Sequence, residues 1–212
     1  WLTEEVRQLD DQFGAAQELV DLLREQAELE TAVSKAEEVI VAQGQRPVVF
    51  IDGTMIFWIL ESKAPEVKSY FLTRYLASLE QLYKLRVPSV ALISLPKSRE
   101  LVSLLKLGLC RFMVANCIPC HSTYTTFPCK AVEQLIDAHV ARTFLRRHER
   151  TTVFVNTSQI SSEYPVHLRT HFCYLDVGQE IVRLELPAWV VDDQAAFDHV
   201  CQVVLDQSIK GG

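Results

Sequence analysis

Asp52 is the residue whose type and position say most about chemistry. It follows Pro47-Val-Val-Phe-Ile51, a short apolar, β-branched run that predicts a buried strand. A carboxylate at the end of a buried strand is costly unless it is paired or binds a metal ion. The small Gly53 and Thr54 beside it leave room for a ligand to approach. Asp-Gly is also a common turn, and the tripeptide alone favours that turn.

Two further carboxylates support a metal site. Glu100 comes shortly after a second apolar run, Ser89–Ser94, and Asp137 lies in the apolar segment Val132–Val140, where a solvent-facing position is the alternative. Carboxylates brought into one cleft would hold hard divalent cations through oxygen ligands. Two such ions about 3.5–4 Å apart can activate a water and stabilise the leaving oxygen of a phosphodiester. Spacing alone does not show that the three side chains converge.

A strand followed by Asp-Gly-Thr also occurs in the haloacid-dehalogenase phosphatases. Their nucleophilic Asp stands two positions before the second Asp, and Phe50 occupies that position here. A chain without this nucleophile cannot form an aspartyl-phosphate, so we reject this class.

Thiols are a second candidate for metal binding. Four of the six cysteines lie near one another in the chain: Cys110, Cys117, Cys120 and Cys129. Four thiolates suit zinc or an iron–sulfur cluster, but the wide spacing of the second pair favours ordinary buried thiols. The Cys-Ile-Pro-Cys-His stretch also spells a haem-attachment motif. Haem attachment requires export, and because no signal segment is apparent we set it aside.

Arginines recur at four-residue steps at Arg142, Arg146 and Arg150. The segment Val132–Arg147 is predicted to be a helix, on which the first two share one face. Such side chains would contact phosphates, which supply most nonspecific affinity for DNA. The alternative is a solvated face with ion pairs to nearby glutamates.

The elements that must position these residues alternate between strands and helices. Strands are predicted at 47–51, 55–60, 89–94, 151–155, 170–175 and 180–186, and helices at 2–43, 66–83, 98–107, 132–147 and 193–209. Ser98 is the predicted N-cap of its helix. Arg183 and Glu185 share one face of the last strand, where they would serve the cleft, with Arg183 as a further candidate DNA contact, or pair with each other. The mixture predicts one α/β domain with a partly antiparallel sheet.

Composition narrows the class of protein. The chain has 212 residues, 49% of them hydrophobic and 23% charged, which is typical of a globular protein with a sizeable core. No apolar run approaches the roughly 18–20 residues of a membrane span, so we expect a cytoplasmic protein without a membrane partner. A net charge of −6 argues mildly against a general nucleic-acid coat, but it does not exclude a local basic strip.

Several segments together resemble the motifs of the NurA nucleases. They occur in the family's order from about residue 47 onward: Pro47-Val-Val-Phe-Ile-Asp-Gly-Thr54, Val90-Ala-Leu-Ile-Ser-Leu-Pro-Lys-Ser-Arg-Glu100, Leu135-Ile-Asp137 followed by Glu149-Arg-Thr-Thr-Val-Phe154, and Glu180-Ile-Val-Arg-Leu-Glu-Leu-Pro-Ala-Trp189. Each match alone is weak, but four or five in order are fairly specific.

The resemblance implies a ribonuclease-H-like fold and a Mn²⁺- or Mg²⁺-dependent DNA exo- and endonuclease that resects DNA ends in double-strand break repair. It also implies a homodimer that works with the hexameric ATPase HerA. Carried over residue by residue, Asp52, Glu100 and Asp137 would be catalytic metal ligands, with Asp52 bridging the ions. Residues 47–212 would form the nuclease domain and residues 1–46 a helical segment, which either contacts a partner or packs on its own domain.

The sequence departs from the family's pattern in two places. The family usually ends with a Gly-Tyr-Pro…Ala-His element, and the sequence stops at Gly212, where that element is expected to begin. The cysteine-bearing stretch between Glu100 and Asp137 is not a general family feature. Two alternatives therefore stay open beside the nuclease: an impaired NurA-like scaffold that binds DNA or the ATPase, and a metal-cluster redox or sensor module.

Overall fold

A mixed sheet of five strands forms the centre of the protein. The computed structural model describes residues 16–110, 117 and 127–210. The strands are β1 (Val49–Asp52), β2 (Ser89–Ile93), β3 (Phe154–Val155), β4 (Thr170–Asp176) and β5 (Ile181–Pro187). Their order in the sheet is β1-β2-β5-β4-β3; β1 and β2 are parallel and all other neighbours are antiparallel.

Helices flank this sheet, as the α/β prediction requires. They are α1 (Ala16–Gln43), α2 (Pro65–Lys84), α3 (Glu100–Gly108), α4 (Asp137–Arg142), α5 (Ala188–Val191) and α6 (Gln194–Lys210). The mixed sheet with its flanking helices and N-terminal helix is consistent with the predicted ribonuclease-H-like fold. Within the described ranges, no helix has the length and apolarity needed to cross a membrane.

The strand register brings three chain segments to one end of the sheet. The β1–α2–β2 connection makes β1 and β2 parallel, so their carboxyl ends coincide, with Asp52 opposite Leu92. The antiparallel strand β5 begins at this same end, and Arg183 pairs with Ile93. The end of β1 and the start of β5 therefore meet at the carboxyl end of β2.

Helix α1 packs on the same core as the sheet. Its buried face comprises Leu19, Leu22, Leu23, Leu29, Val33 and Ala36, which join the main apolar cluster with helix α2. The sequence of the helix predicted at 2–43 places an apolar stripe at Val6, Leu9, Phe13, Ala16, Val20, Leu23 and Ala27. Leu23 is buried but Val20 is 39% exposed, so the buried face is rotated relative to that stripe. Most of the stripe's first half lies outside the described residues. A partner contact by the other face of α1 stays a prediction.

The predicted strand over residues 55–60 is wrong. These residues lead into a 3₁₀ turn, Trp58–Ser62. Met55 to Phe57 are nonetheless almost fully buried, because side chains satisfy the backbone that a sheet would otherwise pair. The Met55 amide donates to Glu185, the Met55 carbonyl accepts from the Tyr75 hydroxyl, and the Phe57 amide donates to the Tyr164 hydroxyl.

Of the helix predicted over residues 132–147, only Asp137–Arg142 is helical. A 3₁₀ turn, Pro128–Val132, is followed by extended backbone at Ile136 and only then by the short helix α4. The Asp137 amide donates to the Ser98 carbonyl at 2.9 Å, a tertiary bond that ties this backbone to the loop before α3. Ser98 is not the N-cap of α3, since that helix begins at Glu100 and is preceded by Arg99.

Candidate active site at the carboxyl end of the central strands

Asp52 is the last residue of β1, an edge strand, and its side chain is exposed. Within the described residues its carboxylate forms no hydrogen bond or ion pair. Gly53 follows with φ +94°, a left-handed conformation that favours glycine and turns the chain away from the strand. Asp52 lines a cavity of about 770 Å³ between α1 and β1, together with Glu25, Thr54 and Tyr75. The predicted turn and an accessible carboxylate therefore occur together.

Glu185 fixes the loop that follows Asp52. It is 2% exposed, and its Oε2 accepts hydrogen bonds from the Thr54 hydroxyl at 2.7 Å and the Met55 amide at 3.0 Å. The Thr54 hydroxyl oxygen in turn accepts from the Ile56 amide and from the Trp58 indole Nε1–H. The Asp-Gly-Thr loop is thus held by one buried carboxylate on β5.

Arg183 lies two residues earlier on the same face of β5 and is 3% exposed. Its Nε donates to Glu185 Oε1 at 3.0 Å, and its Nη1 donates to Glu100 Oε1 at 2.7 Å. The guanidinium also stacks over the Phe172 ring, 3.9 Å from its centroid. Burial by itself would lower the pKa of Arg183, but the carboxylates of Glu185 and Glu100 outweigh it and raise that pKa. Arg183 is therefore a permanent cation between two carboxylates.

Glu100 is the first residue of α3, and its side chain is 44% exposed. Arg183 holds one of its oxygens, which orients the other toward the surroundings. Glu100 lines a cavity of about 270 Å³ together with Thr54, Arg183 and Glu185. Thr54 also lines the larger cavity that holds Asp52, so this residue connects the surroundings of the two predicted ligands.

Asp137 is fully buried and both of its oxygens are engaged. Oδ1 accepts from the Val102 amide at 2.9 Å, and Oδ2 accepts from the Tyr174 hydroxyl at 2.8 Å. Burial raises the pKa of Tyr174, which keeps this hydroxyl protonated as a donor. Val102 is the third residue of α3, so Asp137 caps the helix that begins with Glu100.

These contacts form one connected set, which we call the Arg183 network. Its members are Thr54, Glu100, Asp137, Tyr174, Arg183 and Glu185. It joins the loop after Asp52 to Glu100 and Asp137, so the segments carrying all three predicted ligands are linked. Sequence reasoning did not assign Glu185, Thr54 or Tyr174 to the site. The shared strand face of Arg183 and Glu185 was a usable signal, whereas Tyr174 carried none.

The family model of the NurA domain matches the sequence over residues 3–211. The chain belongs to the NurA family. It is therefore a nuclease of the kind that acts in DNA repair, which confirms the resemblance drawn from the sequence motifs. The match spans both the predicted helical segment and the predicted nuclease domain. No curated protein and no solved structure matches the chain.

The arginines predicted to contact DNA in this NurA chain do not share one helix face. Arg142 is the last residue of α4 and donates weakly to the Gln179 carbonyl at 3.4 Å. Arg146 lies beyond the helix, while Arg150 pairs with Asp198 at 3.5 Å and covers the Phe197 ring. The predicted periodicity fails because α4 is short, and the DNA contacts themselves stay a prediction.

Of the four clustered cysteines, Cys120 lies outside the described residues. Cys110 and Cys129 are half-buried and Cys117 is exposed, all three as free thiols. Among residues 16–110, 117 and 127–210, no three Cys, His, Asp or Glu side chains lie close enough to hold a metal ion. A zinc or iron–sulfur site in this NurA chain, and the convergence of its three carboxylates on one metal, stay predictions.

Proposed function

We propose that this chain is a metal-dependent DNA nuclease that hydrolyses phosphodiester bonds as a 5′–3′ exonuclease and single-strand endonuclease in DNA end resection. The observation that carries the proposal is the exposed carboxylate of Asp52, which has no hydrogen-bond or ion-pair partner among the described residues. It lies at the strand end where β5 anchors both the loop after Asp52 and Glu100. Family membership supports a nuclease.

The donor set fits a hard divalent cation, Mn²⁺ or Mg²⁺. Asp52 and Glu100 each present accessible carboxylate oxygens beside a cavity of their own, the two cavities sharing Thr54, and such oxygens are the ligands these ions prefer. When bound, the cation supplies an activated water and charge stabilisation for the phosphodiester. Asp137 would join as a ligand only by giving up a hydrogen bond, because both of its oxygens are engaged. Its capping of α3 supports a role in holding Glu100 in place.

The chain's own residues divide the remaining work. Arg183 orients Glu100 and offsets its charge, and Glu185 fixes the turn through which Asp52 reaches the cavity. Neither side chain is exposed enough to contact DNA in this arrangement, since they are 3% and 2% exposed. We therefore assign them positioning roles in the proposed reaction.

The partners follow from the family resemblance. We propose a homodimer that works with a HerA-like hexameric ATPase on DNA ends. Helix α1 offers an exposed face with Val20 at 39% and Val41 at 87% exposure, which suits such a contact. Size-exclusion chromatography with light scattering, alone and with the ATPase, tests this assembly directly.

The decisive experiment for the proposed site compares Asp52→Asn with wild type on linear single- and double-stranded DNA in Mn²⁺, Mg²⁺ or EDTA. We expect metal-dependent degradation that Asp52→Asn abolishes, together with weaker Mn²⁺ binding by calorimetry. Asp206→Asn is the matched control, because Asp206 is an exposed aspartate on α6, far along the chain from the site. Degradation that survives in Asp52→Asn would contradict the site. Wild-type protein that binds DNA without cleaving it would favour the scaffold alternative.

A further inference from the structure

Trp58 is a large aromatic side chain held at the surface beside the proposed site. It is 39% exposed, although the three residues before it, Met55 to Phe57, are at most 1% exposed. Its backbone opens the 3₁₀ turn Trp58–Ser62. The backbone that carries this indole is held in place by the buried residues before it, which distinguishes Trp58 from an aromatic residue on a mobile loop.

The orientation of the Trp58 ring is also fixed by the Arg183 network. The indole Nε1–H donates to the Thr54 hydroxyl oxygen at 3.2 Å, and that hydroxyl donates to Glu185 at 2.7 Å. The ring is therefore tied to the residue two positions after Asp52. A ligand that contacts Trp58 binds an already oriented surface, which reduces the entropic cost of binding.

Trp58 stands between two neighbouring cavities. One is the cavity of about 270 Å³ that contains Glu100 and Arg183. The other, of about 640 Å³, is lined by Trp58 and Glu100 together with the polar residues Asn156 to Ser158 and the Phe154 ring. Because the same indole and the same carboxylate line both cavities, a strand lying in the larger one continues into the proposed site past Trp58.

The lining of these cavities suits an unpaired nucleic-acid strand. Phe154 stacks on Phe172 with centroids 5.4 Å apart, which gives the larger cavity a second aromatic wall. Arg183 pairs with both Glu100 and Glu185, which leaves this group one net negative charge, and the walls add two cations, Lys97 and Arg99. Aromatic faces with nearby cations are the usual means of binding single strands.

We propose that Trp58 is a base-stacking residue for single-stranded DNA on its way into the site, an inference that rests on the proposed DNA nuclease function. A base inside a duplex has both faces covered by its neighbours, so this indole can stack on an unpaired base but not on a base within an intact duplex. The groove thereby favours unpaired ends over intact duplex.

The test measures binding of a fluorescein-labelled oligo-dT of about 10 nucleotides, a length within the usual site size, by fluorescence polarisation in EDTA, where no cleavage occurs. We expect Trp58→Ala to raise the Kd roughly 5- to 100-fold, the range that loss of one stacked base produces. Trp58→Phe keeps a stacking ring and loses only the Nε1–H bond, so its Kd should stay within about threefold of wild type. Phe144→Ala is the matched control, because Phe144 is a 56% exposed aromatic that lines neither cavity.

Three results overturn the inference. Unchanged affinity in Trp58→Ala shows that no base stacks there. Equal losses in Trp58→Phe and Trp58→Ala show that the indole acts through Thr54 instead of through stacking. An equal loss of affinity for a duplex of the same length removes the preference for single strands. Wild-type cleavage in Mn²⁺ is measured in parallel: if wild type cleaves while any of these results holds, only the Trp58 role fails, whereas wild type that neither binds nor cleaves DNA removes the proposed function as well.

Discussion

Replacing Glu185 by glutamine probes the buried centre of the Arg183 network. The substitution preserves the shape of the side chain but removes its charge and one of its two acceptor oxygens. Wild-type Oε1 accepts from Arg183, and Oε2 accepts from Thr54 and Met55. A glutamine has a single acceptor oxygen, so its NH₂ group must face donors on one of the two sides. The network cannot be satisfied in either orientation of the amide.

The expected loss of stability follows from burial. Breaking a buried ion pair by removing one partner costs about 3–5 kcal/mol. A buried amide left without an acceptor costs about 1–3 kcal/mol. Arg183 still pairs with Glu100 at 2.7 Å, so the guanidinium charge retains one partner and the cost lies at the lower end of the range for a buried ion pair. We expect Glu185→Gln to lower the free energy of unfolding by about 3 kcal/mol, which corresponds to a Tm lower by about 6–12 °C for a chain of this size.

Urea denaturation followed by circular dichroism measures this loss. The matched control is Glu163→Gln, which removes the charge from a glutamate that pairs with Lys68 at the surface, with its side chain 39% exposed. An exposed pair contributes about 0–1 kcal/mol, so that midpoint should hardly move. A Glu185→Gln midpoint within the range of the control would refute the argument that this carboxylate is held by its buried partners. Adding Arg183→Met should recover part of the loss, because it removes a buried guanidinium that has lost one of its two carboxylate partners.

Three further predictions concern the same molecule. Asp137→Ala should lower the free energy of unfolding by about 3 kcal/mol, because the Val102 amide and the Tyr174 hydroxyl lose their acceptor. Asp137→Asn keeps an acceptor for Val102 and should lower it less. Equal urea midpoints for the two variants would contradict the capping role. Gly53→Ala should cost about 1–2 kcal/mol from its φ of +94° alone, since no described residue lies within 4 Å of the added Cβ. A Tm unchanged from wild type would count against this backbone conformation. Burial raises the pKa of Cys201 from 9.0 to about 11. Its thiol therefore contributes stability below pH 9 that is lost as the pH rises toward 11, because the unfolded chain ionises first; urea midpoints that fall over this interval in wild type, and fall less in Cys201→Ala, would bear this out.

Long elements with a regular apolar pattern were predictable from the sequence. The helix predicted at 66–83 is α2, and the strands predicted at 47–51 and 180–186 are β1 and β5, with boundaries shifted by one or two residues. Local patterning decides these elements because their apolar faces are continuous. The segment 55–60 failed because its apolar pattern resembles a strand, while its backbone is satisfied by Tyr75, Tyr164 and Glu185, residues distant in the chain.

The features of the site likewise separate into those that the local sequence pattern predicts and those that depend on tertiary contacts. The position of Asp52 at a strand end, and the shared face of Arg183 and Glu185, follow from periodicity alone. That Glu185 would hold the loop after Asp52 depends on β5 lying antiparallel to β2, and nothing within either strand specifies that pairing. The helix predicted at 132–147 was too long for a similar reason: only α4 within it is helical, because Asp137 is held by the Ser98 carbonyl and by its bond to Val102 on α3.

The pairing of β5 with β2 also explains why two charged residues are buried in a strand that otherwise belongs to the core. Successive same-face positions on a strand stand about 7 Å apart, so Glu185 reaches the loop after Asp52 while Arg183 reaches the start of α3. One strand thereby ties the loop after Asp52 to Glu100 at the start of α3, and so helps to set the separation of the two accessible carboxylates. An apolar pair of similar volume would often be as stable as a buried ion pair. Retention of the charged pair here is therefore better explained by the placement of Asp52 and Glu100 than by stability. Arg183→Met with Glu185→Gln should restore part of the stability without restoring metal-dependent cleavage.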